Sequence, residues 1–163
     1  MNKILISACL LGWEVRYNGS SLALSSQILD RWLLEDRILP SCPEVDGGMV
    51  IPRAPAEITE GEGLDVLEGR SCVADINGLD VTEYFVRGAE TALKLCREHN
   101  IKVAVLADGS PSCGSSLIYN GRFEAVKNAG AGVTAALLRQ HGIQVFTQHS
   151  IKEADSALHS IDS

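Results

Sequence analysis

Short apolar runs alternate with longer amphipathic segments along most of this chain. Four of the runs have the length of short strands, at residues 3–8, 37–40, 101–106 and 143–146, and those at 3–8 and 101–106 are typical of buried strands. Four segments repeat apolar side chains at helical spacing: residues 25–35, 81–100, 133–140 and 151–158. Strands that alternate with helices favour a mostly parallel sheet covered on both sides. We therefore predict one α/β domain over residues 1–163.

The remaining segments carry turn residues and predict smaller elements. Residues 43–63 are rich in Pro, Gly and Glu, and we expect a long ordered loop there. Residues 64–79 are predicted to form a strand pair that turns at Asn77-Gly78. Residues 117–124 are predicted to form a hairpin that turns at Asn120-Gly121.

Charge and hydropathy exclude several classes of partner. The net charge is −7, and no block of lysine and arginine is long enough to bind a phosphate backbone, so we expect no duplex nucleic acid partner. No apolar run is long enough to cross a bilayer, so we expect no membrane partner. The apolar run at residues 4–6 is short, and we interpret it as a buried strand and not as a signal peptide. These features predict a cytoplasmic protein.

Cysteine usage is the strongest indication of chemistry in this sequence. The count is five, which is odd, so thiols or metal ligands are a better interpretation than a disulfide framework. Cys9, Cys42 and Cys113 follow three different predicted strands, and the carboxyl ends of parallel strands lie along one edge of a sheet. We therefore expect these three thiols to converge in one crevice. Cys72 and Cys96 are expected in a strand and on an apolar helix face, as small buried hydrophobic residues.

Three thiolates suit a cubane iron–sulfur cluster in which one iron has no protein ligand. The loops around all three cysteines contain Gly or Pro, which lets the backbone approach a ligand closely and fixes the turns. No Cys-x-x-Cys pair is present, which weakens the case for a zinc knuckle or a thioredoxin-like site. Structural zinc remains the alternative metal.

At these cysteines the sequence resembles a bacterial family long described as a domain of unknown function and related to the thiouracil desulfurases, which are iron–sulfur-dependent desulfidases. The resemblance covers nearly the whole chain and depends on segments that occur together in a fixed order. These segments are Ile6-Ser7-Ala8-Cys9-Leu10-Leu11-Gly12, Val15-Arg16-Tyr17-Asn18-Gly19, Cys42-Pro43-Glu44 with Gly47-Gly48, Pro52-Arg53, Asp80-Val81-Thr82, Ser110-Pro111-Ser112-Cys113-Gly114 and Gly132-Val133-Thr134-Ala135-Ala136-Leu137-Leu138.

The resemblance implies a Rossmann-like, three-layer single domain and a 4Fe–4S cluster held by Cys9, Cys42 and Cys113. It implies non-redox desulfuration of a thiolated pyrimidine such as 2-thiouracil, which yields the oxo base and hydrosulfide. Glu44 and Ser110 are the catalytic residues that it implies. The expected partner is a small thiolated base, and the expected state is a monomer or a small homo-oligomer. A cluster with an open iron is expected to be lost or degraded in air.

Two alternatives stay open at the level of sequence. A three-cysteine cluster also suits a sulfur carrier or a redox or iron sensor that is not an enzyme. The proposed catalytic residues also have ordinary structural roles, since Glu44 could form an ion pair with Arg53 and Ser110 could be a turn residue before proline. The positions of Glu44 and Ser110 relative to the cysteines distinguish these alternatives.

Overall fold

In the computed structural model, which describes residues 1–163, strands and helices alternate as the sequence predicts. The strands are β1 Ile4–Ser7, β2 Ile38–Ser41, β3 Ala56–Ile58, β4 Val73–Asp75, β5 Val103–Leu106, β6 Leu117–Tyr119, β7 Lys127–Ala129 and β8 Gln144–Thr147. The helices are α1 Gln27–Leu34, α2 Pro43–Asp46, α3 Gly63–Leu67, α4 Thr82–Glu98, α5 Val133–Gln140 and α6 Ile151–Asp162. Single 3₁₀ turns cover Ala8–Leu11 and Gln148–Ser150. None of the helices has the length and apolar character that a membrane span requires.

Four strands form the central sheet in the order β2-β1-β5-β8, and all of its neighbours are parallel. Ile4 is in register with Ile38, and Leu5 is in register with Ala104. The two remaining pairs, β3 with β4 and β6 with β7, are antiparallel and lie outside this sheet. The predicted α/β fold with a mostly parallel sheet is therefore confirmed.

The two faces of the central sheet bury different side chains, as expected when successive residues of a strand point to opposite sides. One face packs against α4 and α5, in a core that contains Leu5, Ala104, Leu93, Cys96 and Leu138. The other face packs against α1 and α6, in a core that contains Ile6, Val105, Trp32 and Leu158. Helices on both faces of one sheet give the three layers that the resemblance implies.

The predicted strand pair at residues 64–79 is wrong. Residues 63–67 form α3, which begins where the Glu62 N–H donates to Asp65 Oδ2 at 2.9 Å. This is half of a capping box, a helix signal that outweighs the β-branched residues nearby. The strand β4 is real, but its partner is β3, which lies in the segment predicted to be a loop. After the Asn77-Gly78 turn the chain does not form a second strand. Only Asp80 pairs with β4, in a single antiparallel bridge to Ala74.

The other predictions for the smaller elements are correct only in part. The segment predicted as a loop at residues 43–63 contains α2 and β3. The predicted hairpin exists, but its strands are separated by residues 120–126 instead of turning at Asn120-Gly121. Glu57 of β3 explains the longer loop, since its carboxylate accepts the Gly121 N–H at 2.9 Å and the Phe123 N–H at 3.3 Å. These are contacts between distant segments, which local turn preferences do not encode.

Candidate iron–sulfur site

The three predicted ligands all follow the carboxyl ends of strands in the central sheet. Cys9 lies in the 3₁₀ turn directly after β1, and Cys42 lies between β2 and α2. Cys113 lies in the loop after β5, and β1 lies between β2 and β5 in the sheet. These three strands are adjacent and parallel, so their carboxyl ends share one edge of the sheet. All five cysteines of the chain are free thiols.

The three thiols are close enough to influence one another electrostatically. Burial raises the pKa of Cys9 to about 11, and the charge of Cys42 contributes in the same direction. Burial also raises the pKa of Cys113, with further contributions from Cys42 and Cys9. The thiols are therefore neutral without a metal, and metal binding must displace their protons.

This donor set fits an iron–sulfur cluster. The structure contains three free thiols at one sheet edge and no group of three or more His, Cys, Asp or Glu that could hold a single metal ion. A cubane does not require such a group, because each of its cysteine ligands binds a different iron atom. Soft thiolate ligands are also the ones that iron–sulfur clusters select.

Two glycines bring Cys42 to its position. Cys42 precedes α2, a short helix that packs closely on α4. A Cβ atom at Gly88 of α4 would overlap the Pro43 carbonyl oxygen, and one at Gly47 would overlap the Tyr84 carbonyl oxygen. Glycine at both positions therefore allows the close approach of the two helices that fixes Cys42 at the sheet edge.

Ser110 organises the loop that presents Cys113. Its Oγ accepts the Cys113 N–H at 2.7 Å and the Ser112 N–H at 3.1 Å. The turn role that the sequence left open is therefore present. A hydroxyl has two lone pairs and one hydrogen, so Ser110 can still donate one hydrogen bond while it holds this turn.

Asp108 supports the same loop from its other side, and sequence reasoning missed this residue. Its Oδ1 accepts backbone N–H groups from Ser115 at 3.0 Å and Leu117 at 3.1 Å, and its Oδ2 accepts the Ser116 hydroxyl. Burial alone would raise the pKa of Asp108, but these hydrogen bonds hold it below its usual value. Aspartate before a Gly-Ser-Pro turn was the available signal, because such side chains accept N–H groups of the following residues.

The amino end of α5 closes the loop. The N–H groups of Val133 and Thr134 donate to the carbonyl oxygens of Pro111 at 2.8 Å and Ser112 at 3.0 Å. The Ser112 and Thr134 hydroxyls are 2.8 Å apart in the buried interior. The cysteine loop therefore satisfies the first N–H groups of this helix and is joined to its amino end by hydrogen bonds.

Glu44 lies on α2, near the three cysteines, and is largely buried. Its Oε1 accepts from Nε and Nη2 of Arg53, both at 3.3 Å, and its Oε2 has no hydrogen bond. Burial raises the pKa of Glu44, and the charges of Arg53 and Arg16 act against that effect. The ion pair with Arg53 that the sequence left open is present, and it leaves one carboxylate oxygen available.

The other two cysteines occupy different surroundings. Cys96 is 1% exposed and belongs to the core between the sheet, α4 and α5. Cys72 precedes β4, and its Sγ is 3.4 Å from the Thr59 hydroxyl oxygen. Neither contributes to the pKa values of the three convergent thiols. We therefore expect both to be dispensable for metal binding.

Replacement of Cys96 by alanine tests this expectation. The change should lower the free energy of unfolding by about 1 kcal/mol, because it removes one buried sulfur from a packed core. Iron content and the visible absorption of the cluster should equal those of the wild type. Denaturant unfolding and iron analysis of the same preparation measure both, and loss of iron would contradict the assignment.

Comparison with known proteins gives consistent results. Residues 4–150 match the family described as 2-thiouracil desulfurase. An uncharacterized protein, YbbK of Bacillus subtilis (strain 168), is 44% identical over 150 residues, which cover 92% of this chain and 98% of that protein. The solved structure of the [4Fe-4S]-dependent thiouracil desulfidase TudS (DUF523Vcz) is 52% identical, with a TM-score of 0.90 over 98% of this chain and 99% of the other. This chain belongs to the 2-thiouracil desulfurase family.

Proposed function

We propose that this protein removes sulfur from a thiolated pyrimidine such as 2-thiouracil and releases the oxo base and hydrosulfide. The observation that carries the proposal is the convergence of three free thiols and one buried carboxylate at a single sheet edge. A relative with 52% identity is a [4Fe-4S]-dependent thiouracil desulfidase, which supports the same chemistry.

In this proposal, Cys9, Cys42 and Cys113 would hold a 4Fe–4S cluster, which would supply a Lewis acid for the thiocarbonyl sulfur. The reaction exchanges sulfur for the oxygen of water, so carbon keeps its oxidation state and no reductant is needed. Of the two water protons, one passes to a base of the protein and the other is lost when the carbonyl forms. One of the two leaves with sulfur as hydrosulfide, and the other is released to solvent.

Glu44 is the proposed base. Its Oε1 is fixed by Arg53, so the carboxylate cannot rotate freely, and Oε2 remains available to accept a proton from water. Arg53 is itself 6% exposed and donates to the carbonyl oxygens of Val15 at 3.1 Å and Val50 at 3.2 Å. These contacts make Arg53 a positioning residue that holds the base in place.

Ser110 has two proposed roles. Its oxygen fixes the backbone of Cys113, as described above, and its hydroxyl hydrogen is left to orient water or substrate. We further propose a cytoplasmic location, because a reducing compartment keeps the thiols available for metal. The proposed partner is a small base, and the protein is proposed to act as a monomer or a small homo-oligomer.

The proposal is tested by purifying the protein without oxygen, reconstituting the cluster and incubating it with 2-thiouracil and 4-thiouracil. We expect sulfide and uracil to appear in equal amounts, with no added reductant. The same protein without iron is the matched control and should release neither. A fully loaded cluster that releases no sulfide from any thiolated base would instead favour a sulfur carrier or sensor.

A further inference from the structure

Two arginines lie near Glu44, and only one of them is engaged. Arg53 is almost fully buried and uses its guanidinium on Glu44 and on two backbone carbonyl oxygens. Arg16 is half-buried, and its guanidinium makes no hydrogen bond, ion pair or aromatic contact within the chain. An arginine in a half-buried position without a partner has five donors that remain to be satisfied.

The backbone around Arg16 is held in place. The Arg16 N–H donates to the Ser20 carbonyl oxygen at 3.1 Å, and its own carbonyl oxygen accepts the Gly19 N–H at 2.8 Å. The residues on either side of Arg16 contact residues of the proposed site. The Val15 carbonyl oxygen lies 3.9 Å from Cys42 Sγ, and the Tyr17 carbonyl oxygen accepts the Arg53 N–H at 2.7 Å. Hydrogen bonds therefore hold the backbone at residues 15–17, while the Arg16 guanidinium has no partner within the chain.

Arg16 is also close to two groups of the proposed site. Burial is the main influence on the pKa values of Cys9 and Glu44, and the charge of Arg16 lowers both of them. Arg16 also lies between Val15 and Tyr17, whose carbonyl oxygens contact Cys42 Sγ and the Arg53 N–H, so its backbone runs beside the site. Because that site is partly removed from water, a hydrogen bond from a cation there is stronger than one on the surface.

We propose that Arg16 binds the carbonyl oxygen that the substrate retains, which in 2-thiouracil is the oxygen at C4. This inference rests on the proposed function and names the polar group that the site recognises. A guanidinium only donates hydrogen bonds, so its ligand must be an acceptor. A thiolated pyrimidine offers two exocyclic acceptors. Its sulfur is the atom that is removed, which leaves the second carbonyl oxygen for Arg16.

The test compares 2-thiouracil with pyrimidine-2-thione, which lacks the second carbonyl oxygen. For Arg16→Gln, we expect kcat/KM on 2-thiouracil to fall roughly 10- to 100-fold, the effect of losing one charge-assisted hydrogen bond, mostly through KM. The value on pyrimidine-2-thione should change little. Arg122→Gln removes the same charge from an exposed loop and is the matched control, with both values unchanged.

A second measurement does not depend on turnover. Uracil, the product, should bind the reconstituted wild type and Arg122→Gln equally and Arg16→Gln at least about 10-fold more weakly, as measured by calorimetry. The visible absorption of the cluster should be the same in all three. Uracil binding that depends on Arg16 would support the inference even if the protein desulfurates no base. The absence of desulfuration would then reject only the proposed function.

Three outcomes would overturn the inference. Equal losses on the two substrates would show that Arg16 does not recognise the second oxygen. Loss of the cluster in Arg16→Gln would show that Arg16 supports the fold of the site. Desulfuration by the wild type with uracil binding unaffected by Arg16→Gln would leave the proposed function standing without the assigned contact.

Discussion

Replacement of Cys113 by alanine is expected to abolish both the cluster and the desulfuration activity. The change leaves two thiolates for a cubane, so two of its four irons would have no protein ligand, and the cluster is not retained. The fold should survive, because the loop around Cys113 is held by Ser110, Asp108 and the amino end of α5, none of which uses the thiol. Iron and sulfide analysis after anaerobic reconstitution, together with circular dichroism, measures both parts of this expectation.

Cys96→Ala is the matched control for Cys113→Ala, since both cysteines are buried and both variants lose one sulfur. Only Cys113→Ala should lose iron. A Cys113→Ala protein that keeps a full cluster would remove Cys113 from the ligand set. If Cys113→Ala does not fold, Cys113→Ser is the second variant to measure. It nearly keeps the size of the side chain and should fold without retaining the cluster.

The parallel sheet and the edge at which the cysteines meet could be predicted from sequence because both depend on local patterns. The runs at β1, β2 and β5 are short and mostly apolar, and β1 and β5 have the pattern of strands that are buried on both faces. Cys9, Cys42 and Cys113 come after these strands, so the common edge follows from parallel topology alone. The positions of these thiols required no knowledge of individual contacts.

The contacts of the supporting residues could not be predicted in full, because the fold creates them. The turn after Asp108 was a signal in the sequence, but only the fold directs N–H groups of residues 115–117 at its carboxylate. The short strand β3 could not be predicted because it pairs with β4, which lies about 15 residues further along the chain. Its Glu57 accepts a hydrogen bond from the still more distant Gly121. The ion pair of Arg53 with Glu44 could be anticipated from the sequence, but only the structure shows that the Arg16 guanidinium has no partner within the chain.

Replacement of Glu44 by glutamine is expected to separate chemistry from cluster assembly. Glutamine keeps the shape of the side chain and a carbonyl oxygen that can accept from Arg53, but it cannot take a proton from water. Turnover should fall roughly 10²-fold or more, the usual contribution of general acid–base catalysis, while the visible absorption of the cluster stays nearly unchanged. Sulfide release under saturating 2-thiouracil and the absorption spectrum of the same sample measure the two quantities.

Glu57→Gln is the matched control, because Glu57 is also a buried glutamate and its carboxylate serves the backbone of the β6–β7 loop. It should leave turnover and the cluster near wild-type values. A Glu44→Gln protein that loses its cluster as completely as Cys113→Ala would show that the Glu44–Arg53 pair is structural. A Glu44→Gln protein with full activity on every thiolated base would remove Glu44 from proton transfer. Ser110 could not replace it as the base, because its oxygen already accepts the N–H groups of Ser112 and Cys113. The base would then have to be water itself or a group outside the cysteine loops.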